Sequence, residues 1–241
     1  MSSRSTTPSR ISLSVVVMAY NEENNLAEAA EQAIGFLREV TYDWQLIIVN
    51  DGSSDRTGEV AESLRREDPQ RIDVLHHPTN QGMGAAIRNG YALTRCEWVT
   101  QLPADCQVHP DMLRRFIPKL GEADIVLSVY ARRDDGLTRK ILSAGFQTAV
   151  RLVLGHRGDF TGTMVFRRTL LDEIPAIQSN TFFANMEFPL LVLRSGARSA
   201  IVAIEAQPRR SGESKVKNAR RIARVMGEVI KMRIRLWRGD P

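Results

Sequence analysis

An unbroken apolar run that ends in small polar residues constrains the fold of this chain more than any other feature. The run is Leu46–Val49, and Asn50–Asp55 follows it directly. Short runs of Val, Ile and Leu predict a strand buried on both faces, which is typical of parallel sheets. The polar residues can turn the chain and cap a helix through Ser54 or Asp55. Because open α/β folds bind ligands at the carboxyl ends of their strands, we expect Asp51 to lie at a ligand-binding edge.

The same order of strand and helix recurs along the chain and predicts an α/β fold. Strands are predicted at 11–18, 45–50, 72–76, 97–101, 125–129, 164–166 and 200–206, and helices from Asn24 or Asn25 to 39, then at 55–67, 85–93, 111–120, 139–154 and 185–194. This alternation indicates βαβ units and a mainly parallel sheet flanked by helices. We expect a disordered tail at 1–10, one domain at 11–215 and a basic amphipathic helix at 216–241.

The positive charge of the chain is concentrated in its last residues. Residues 215–241 hold nine Lys or Arg and two acids, a net +7, so the remainder carries −2 of the total of +5. A nucleic-acid-binding protein would spread basic charge over its working face, so this class is disfavoured. A basic end segment suits an anionic membrane surface better. No run of 18 uncharged apolar residues occurs, so we expect no transmembrane helix.

Three acidic loops follow three predicted strands. They contain Glu22, Asp51 and Asp105. In a parallel sheet these loops share one edge, which brings the carboxylates within range of one ligand. Converging carboxylates repel each other unless a cation or sugar hydroxyls are present, and a divalent metal on a diphosphate satisfies this need. The alternative is that each acid caps a helix or solvates a turn.

Five motifs in order resemble those of the family 2 inverting glycosyltransferases, which have the GT-A fold, and within them the dolichyl- or polyprenyl-phosphate sugar transferases. The motifs are Val17–Glu23 (P-x-Y-N-E-E), Val49–Thr57 (V-D-D-G-S-x-D-x-T), Asn80–Ala86 (N-x-G-x-G-x-A), Ala104–Pro110 (the second half of D-A-D-x-Q-x-x-P) and Arg209–Lys215 (R-x-x-G-E-S-K). Each motif is weak alone, and the five together cover residues 12–215.

The resemblance implies a nucleotide-sugar site and a metal site. The nucleotide sugar, with UDP or GDP, would be held by Tyr20, Asn21, Glu22, Asn50, Asp51, Gly82, Gly84, Ala104 and Asp105. Asp105, assisted by Gln107, would bind Mg²⁺ or Mn²⁺ on the diphosphate and activate the leaving group. Arg209 and Lys215 would close over the phosphates and stabilise the developing charge.

Two residues depart from the family's pattern. Pro103 stands where the family has the first aspartate of its DXD motif, which removes a carboxylate that could bind ribose or metal. Asn50 replaces the first aspartate of D-D-G-S, although an amide can still hydrogen-bond a base or a ribose. Pro103 leaves open that the chain is a catalytically silent nucleotide-sugar-binding subunit.

The acceptor site is predicted from basic residues after the fifth strand. The resemblance implies that Arg139 and Ser143, which match the family's R-x-x-x-S motif and share one helical face, hold an acceptor phosphate. Val129 stands where the family has the arginine of its G-S-R motif, and Arg132 or Arg133 could take its place. An ionised phosphate needs no general base, whereas a hydroxyl acceptor does, and Glu187 is the candidate base for that case. The alternatives are a solvated arginine and an acid near a helix start.

The last predicted helix interleaves apolar and basic residues. The segment from Lys217 to Trp237 can lie in a membrane interface, with Trp237 near the headgroups. The alternative is packing on the domain or on a second subunit.

Taken together, the motifs and the basic helix lead us to expect a metal-dependent hexosyltransferase, peripheral at the cytoplasmic face of the membrane, that transfers sugar to a polyprenyl phosphate. The alternative acceptor is a hydroxyl group of a glycolipid or of a soluble molecule. The partner of the chain could be a second copy of itself or a membrane protein.

Overall fold

The computed structural model describes residues 10–132, 163–205 and 219–238. The strands are β1 (Ile11–Ala19), β2 (Thr41–Asn50), β3 (Ile72–His76), β4 (Trp98–Pro103), β5 (Ile125–Arg132), β6 (Met164–Arg167) and β7 (Ser199–Glu205). The helices are α1 (Leu26–Val40), α2 (Thr57–Glu67), α3 (Met83–Ala92), α4 (Leu170–Glu173), α5 (Ala184–Arg194) and α6 (Ala219–Arg238). The predicted helix at 139–154 and residues 1–9 of the predicted tail at 1–10 lie outside the described residues.

The seven described strands form one mixed sheet in the order β3-β2-β1-β4-β6-β5-β7. Strands β3, β2, β1 and β4 run parallel, and β5 and β7 also pair in parallel. Strand β6 lies between β4 and β5 and is antiparallel to both. The mainly parallel α/β sheet expected from the sequence is therefore confirmed, with one antiparallel strand inserted in it.

Apolar side chains cover both faces of the sheet. On one face, α1 and α2 pack against β1 and β2 through residues such as Leu26, Phe36 and Leu64. On the other, α3, α5 and α6 pack through Ile87, Phe188 and residues of the last helix. Strands β1 and β2 are buried on both faces because helices cover both, which explains their continuous Val and Ile runs.

The segment after β4 differs from the predicted helix at 111–120. It forms two short 3₁₀ helices, Pro110–Arg115 and Ile117–Lys119, instead of one α-helix. Pro118 lies inside this segment and has no backbone N–H to donate to the preceding turn. Short 3₁₀ turns fit such a position better than a continuous α-helix.

Candidate nucleotide-sugar site

The carboxyl ends of β1, β2 and β4 lie side by side. Ala19 is paired with Asn50, and Met18 is paired with Pro103, so β1 has a parallel neighbour on each side at this edge. The loops that carry Glu22, Asp51 and Asp105 therefore leave the sheet from the same edge. This arrangement follows from the strand order, and the sharing of one ligand by the three carboxylates stays a prediction.

Backbone–side-chain hydrogen bonds hold the first two loops together. The Glu22 backbone N–H donates to Thr57 Oγ1 at 2.8 Å, and the Glu23 N–H donates to Asp55 Oδ2 at 3.2 Å. In return, the Arg56 N–H donates to Glu23 Oε2 at 3.0 Å. Burial opposes ionisation of Asp55, but hydrogen bonds from Thr57 and Glu23 outweigh it and hold the pKa of this carboxyl below its ordinary value. The two loops thus form one rigid edge of the site.

Asn21 sits between these loops in the left-handed backbone region. Its φ is 53°, a conformation that Asn tolerates better than most residues. Its backbone N–H donates to Ser53 Oγ at 3.0 Å, and its side-chain oxygen accepts from the Ser54 N–H at 2.9 Å. Asn21 therefore uses its side chain to join the loops. The neighbouring Tyr20 is 39% exposed at the same edge.

Glu22 and Asn50 are held by neighbouring side chains. The Glu22 carboxylate, which is partly exposed, accepts from Asn25 Nδ2 at 2.7 Å. Asn50 is buried, and its side-chain oxygen accepts from the Ser53 N–H at 3.1 Å while its amide nitrogen contacts His76 Nδ1 at 3.0 Å. Asn50 is thereby a structural element of the turn in this structure, and Glu22 is the more accessible of the two.

The Asp51 carboxylate is buried and organises the loop that follows β3. It is 4% exposed and accepts from His77 Nδ1 at 2.7 Å, from the Gln81 N–H at 2.9 Å and from the Gly82 N–H at 2.9 Å. The other ring nitrogen of His77, Nε2, contacts Asn89 Nδ2 at 3.0 Å, so both sides of the imidazole are engaged. Asp51 therefore fixes the position of the glycine loop, residues 80–84.

Gly82 and Gly84 allow a second loop to approach the glycine loop closely. Gly82 has a φ of +92°, and a Cβ there would lie 2.3 Å from the Asn180 carbonyl oxygen. A Cβ at Gly84 would lie 1.9 Å from the Ser179 carbonyl oxygen. Both distances are too short for any side chain, so glycine is needed where the two loops meet. These two glycines therefore let the glycine loop pack directly against the backbone of Ser179 and Asn180.

Asp105 and Gln107 form the candidate metal site at the end of β4. Asp105 Oδ1 accepts from the Gln107 N–H at 3.2 Å, and the Gln107 side-chain amide contacts Asp105 Oδ2. The preceding Ala104 is buried and donates its N–H to the Met18 carbonyl at 3.2 Å. Both metal candidates are only partly buried, so a ligand at the edge can reach their oxygens.

This donor set fits a divalent cation that arrives with a diphosphate. Among the described residues, no group of three or more His, Cys, Asp or Glu side chains is suited to hold a metal. Mg²⁺ commonly uses only one or two protein carboxylates together with water and substrate phosphates. Asp105 can supply the carboxylate and Gln107 an amide oxygen, while Pro103 supplies no ligand. The residues present therefore suit a site that the substrate completes.

Glu187 lies away from solvent in a hydrogen-bonded ion pair. It is 2% exposed, and its Oε2 accepts from the N–H groups of Gln178 and Ser179 at 3.1 and 2.8 Å. Its Oε1 accepts from Arg235 on α6 at 2.8 Å. The carboxylate thus joins α5, the loop at 177–181 and α6. The role of Glu187 as a base for a hydroxyl acceptor stays a prediction.

Helix α6 packs on the domain along one face and presents another to solvent. Val225, Val229 and Met232 are buried in the second apolar cluster. On the outer face, Ile230 is 49%, Ile234 43% and Trp237 82% exposed. The domain-packing alternative is therefore correct for the inner face. Within the described part of the chain, no helix has the length and apolar character needed to cross a bilayer.

Several predicted site residues lie outside the described part of the chain. These are Arg139, Ser143, Arg209 and Lys215. Arg132 ends strand β5, but its side chain is also outside the described part. Their roles in holding the acceptor phosphate and the diphosphate stay predictions.

Three residues that organise the site were not predicted from the sequence. They are His77 beneath Asp51, and Glu228 and Arg235 on α6, which hold the loop at 177–181. A signal for His77 did exist, because it directly follows β3, whose carboxyl end lies at the same sheet edge. The α6 residues had no such signal, since their partners lie about 50 residues earlier in the chain.

The mostly parallel sheet of this chain has the GT-A fold of the solved glycosyltransferases that it resembles. Glucosyl-3-phosphoglycerate synthase of Mycobacterium tuberculosis, in complex with Mn²⁺, uridine diphosphate and phosphoglyceric acid, has a TM-score of 0.69 at 17% identity, over 96% of this chain and 80% of that one. Mannosyl-3-phosphoglycerate synthase of Rubrobacter xylanophilus has a TM-score of 0.66 at 20% identity, over 94% and 74%. At these identities the likeness establishes the fold alone.

The chain belongs to glycosyl transferase family 2, whose family model matches residues 14–175. An undecaprenyl-phosphate 4-deoxy-4-formamido-L-arabinose transferase of Pseudomonas fluorescens is 27% identical over 214 residues, which are 88% of this chain and 62% of that protein. A dolichyl-phosphate beta-glucosyltransferase of Trichomonas vaginalis is 34% identical over 177 residues, which are 67% and 54%. The chain thus spans roughly three fifths or less of the length of these relatives.

Proposed function

We propose that this chain transfers a sugar from a nucleotide sugar to a polyprenyl phosphate with inversion at the anomeric carbon. The observation that carries the proposal is the meeting of the loops after β1, β2 and β4 at one edge, where Glu22, Asp51 and Asp105 are placed. Family membership and the polyprenyl-phosphate relatives support the same reaction. The donor is a UDP- or GDP-sugar.

The nucleoside binds where the first two loops are joined. Tyr20 offers an exposed ring for stacking, and Glu22 offers carboxylate oxygens to ribose hydroxyls. Asp51 acts chiefly by holding the glycine loop, since three of its hydrogen-bonding positions are occupied. A preorganised loop of this kind reduces the ordering cost of binding.

The diphosphate binds beside Asp105 and Gln107. A Mg²⁺ or Mn²⁺ ion there would neutralise charge on the departing nucleoside diphosphate. Asp105 and Gln107 would orient the diphosphate, and Arg209 and Lys215 would add positive charge from the other side. An ionised acceptor oxygen, held by Arg132, Arg139 and Ser143, attacks the anomeric carbon. As that bond forms, the bond from carbon to diphosphate oxygen breaks, and its electron pair leaves with the nucleoside diphosphate.

The experiment is a transfer assay with purified protein. Labelled UDP- and GDP-sugars are incubated with Mn²⁺ and undecaprenyl phosphate, and the lipid product is extracted and its anomeric configuration determined. Product with the anomer opposite to that of the donor supports the proposal. Product formed only with a hydroxyl acceptor would instead support the alternative acceptor.

A second candidate, a catalytically silent nucleotide-sugar-binding subunit, is favoured by Pro103. Without the carboxylate that the family has there, the chain can retain the nucleoside site while losing turnover. Nucleotide binding measured by thermal shift, without transfer to either acceptor, would support this candidate.

We also place the protein at the cytoplasmic face of the membrane, bound through the outer face of α6. This face combines exposed Ile230, Ile234 and Trp237 with exposed Lys231, Arg233 and Arg238. An apolar stripe beside basic side chains suits the interface of an anionic bilayer. A lipid-linked acceptor would be reached from this position.

A further inference from the structure

Three side chains from three different helices hold the loop at 177–181. Arg88 on α3 donates to the Ile177 carbonyl at 2.9 Å and to Asn180 Oδ1 at 3.3 Å. Glu187 on α5 accepts from two backbone N–H groups of the loop, those of residues 178 and 179. Glu228 on α6 completes the set. This density of contacts fixes the loop although it lacks regular secondary structure of its own.

Glu228 makes the contacts of the loop with α6. Its Oε2 accepts from Ser179 Oγ and from Thr181 Oγ1, each at 2.5 Å, and its Oε1 accepts from the Asn180 N–H at 3.3 Å. Glu228 is the sole acid in the sequence of α6, which otherwise carries Arg and Lys among its charged residues. The Glu228 carboxylate therefore binds residues 179–181 specifically and is not merely a solvent-exposed charge on the helix.

The loop at 177–181 in turn packs directly against the glycine loop. The carbonyl oxygens of Ser179 and Asn180 occupy the space that a Cβ at Gly84 or Gly82 would need. The Gly84 N–H also points to the Asn180 carbonyl at 3.4 Å. A continuous series of contacts thus runs from Glu228, through residues 179–181, to the glycine loop that Asp51 holds from the other side.

From this series we infer that Glu228 is a positioning residue for donor binding. The inference rests on the proposed function, because it takes the glycine loop as part of the nucleotide-sugar site. In this role Glu228 acts through the loop and not by direct contact with the donor. It keeps the loop at 177–181 in place, and that loop keeps Gly82 and Gly84 where the donor requires them. Without the carboxylate, the loop at 177–181 becomes more mobile. The free-energy cost of ordering the glycine loop on donor binding then rises.

The test compares Glu228→Gln with Val225→Ala, a matched change one turn earlier on α6. Val225 is buried in the same apolar cluster as Ile177 but makes none of the hydrogen bonds that hold the loop, so its truncation weakens the packing of α6 and leaves those hydrogen bonds in place. Affinity for UDP and GDP is measured by calorimetry with Mn²⁺ at a temperature where both variants are folded. Donor KM and kcat are measured in parallel with the melting temperatures.

We expect Glu228→Gln to weaken nucleotide binding about tenfold, with a matching rise in donor KM and a kcat at saturating donor close to that of the wild type. Val225→Ala should lower the melting temperature and leave nucleotide affinity unchanged. Thr181→Val, which removes one donor to the carboxylate, should give a smaller loss of affinity and serves if Glu228→Gln does not fold.

Two results would overturn the inference while leaving the proposed function intact. One is wild-type nucleotide affinity in Glu228→Gln or, where that variant does not fold, in Thr181→Val. The other is an equal loss of affinity in Val225→Ala. Failure of the wild-type protein to bind either nucleotide would overturn the proposed function, and this inference with it.

Discussion

Asp51 and His77, which lie 26 residues apart in the sequence, share a buried hydrogen bond of 2.7 Å at the carboxyl edge of the sheet. The bond joins the end of β2 to the end of β3, and the same carboxylate receives the N–H groups of Gln81 and Gly82. The hydrogen bonds of Asp51 therefore hold this edge of the sheet together without a ligand.

Replacing Asp51 by Asn should loosen this edge. The amide keeps one oxygen but presents an NH₂ group to donors that need an acceptor, so a buried N–H is left unpaired. We expect the free energy of unfolding to fall by about 1–3 kcal/mol and nucleotide affinity to fall with it. Denaturant unfolding and calorimetry measure the two effects. The control is Asp172→Asn, which removes the same charge at the surface; equal effects in both variants would contradict the role given to Asp51.

Gly84→Ala should destabilise the protein, whereas Gly35→Ala should stabilise it. The new methyl at 84 meets the Ser179 carbonyl, and relieving such overpacking costs about 1–3 kcal/mol. Gly35 lies on the exposed face of α1 with no atom near its Cβ position, so Ala there should add about 0.5–1 kcal/mol. Melting curves of the two variants compare them directly. A Gly84→Ala protein as stable as the wild type would show that the two loops do not meet as described.

Pro103→Asp should strengthen metal binding, and Asp105→Ala should abolish it. The first change supplies a second carboxylate beside Asp105, and hard divalent cations bind more tightly as carboxylates are added. We expect Mn²⁺ affinity in the presence of nucleotide to rise about tenfold in Pro103→Asp, the lower end of the range over which changes around metal sites act. Electron paramagnetic resonance of free Mn²⁺ gives the bound fraction. Metal-dependent activity retained in Asp105→Ala would refute the metal assignment.

Asp124 should contribute to stability at neutral pH and lose that contribution in acid. Arg198 donates to it through its backbone N–H and guanidinium, with distances of 2.8–3.1 Å, and these bonds hold the pKa of Asp124 below its ordinary value. Because the folded-state pKa is lowered, the stabilisation is complete above the unfolded-state value of about 4 and disappears as the pH falls through the folded-state value.

The difference in melting temperature between the wild type and Asp124→Asn should therefore be a few degrees at pH 7 and shrink below about pH 4. Thermal scans from pH 7 to pH 2.5 measure it. A difference that stays constant over this range would show that the loss in Asp124→Asn comes from packing and not from the charge.

The substitutions Ile234→Ser and Trp237→Ser should each reduce the binding of the protein to anionic vesicles. These side chains are exposed, so their replacement leaves the inner face of α6 packed on the domain, whereas deleting the helix would uncover the apolar core. Flotation with vesicles rich in anionic lipid gives the bound fraction. Ile201→Ser on strand β7, where the side chain is 59% exposed, is the control for loss of exposed apolar area. Equal flotation of the variants and the wild type would reject the membrane assignment.

The sequence predicts the local elements of this fold well. Strand β3 has the predicted bounds of 72–76, and α1, α2 and α5 differ from their predicted bounds by about two residues. These elements carry their own signals, such as apolar runs for buried strands and polar caps for helix starts. The parallel order of the first four strands follows from the same alternation.

Contacts between distant parts of the chain could not be predicted in this way. Nothing local to Met164–Arg167 indicates that β6 inserts antiparallel between β4 and β5. The hydrogen bonds of Glu228 span 47–49 residues, and its own segment shows only an acid on a basic helix. Acidic residues at the edge were predicted because their position depends on strand ends, whereas the loop that supports them depends on tertiary packing.

The approach of the loop at 177–181 to the glycine loop has an evolutionary consequence. On one side of the contact the touching atoms are the carbonyl oxygens of Ser179 and Asn180, which every amino acid possesses. On the other side the space exists only because Gly82 and Gly84 lack a side chain. Sequence drift at this junction is therefore asymmetric: a side chain at either glycine position must displace the opposing backbone, while the contact itself places no demand on which side chains stand opposite.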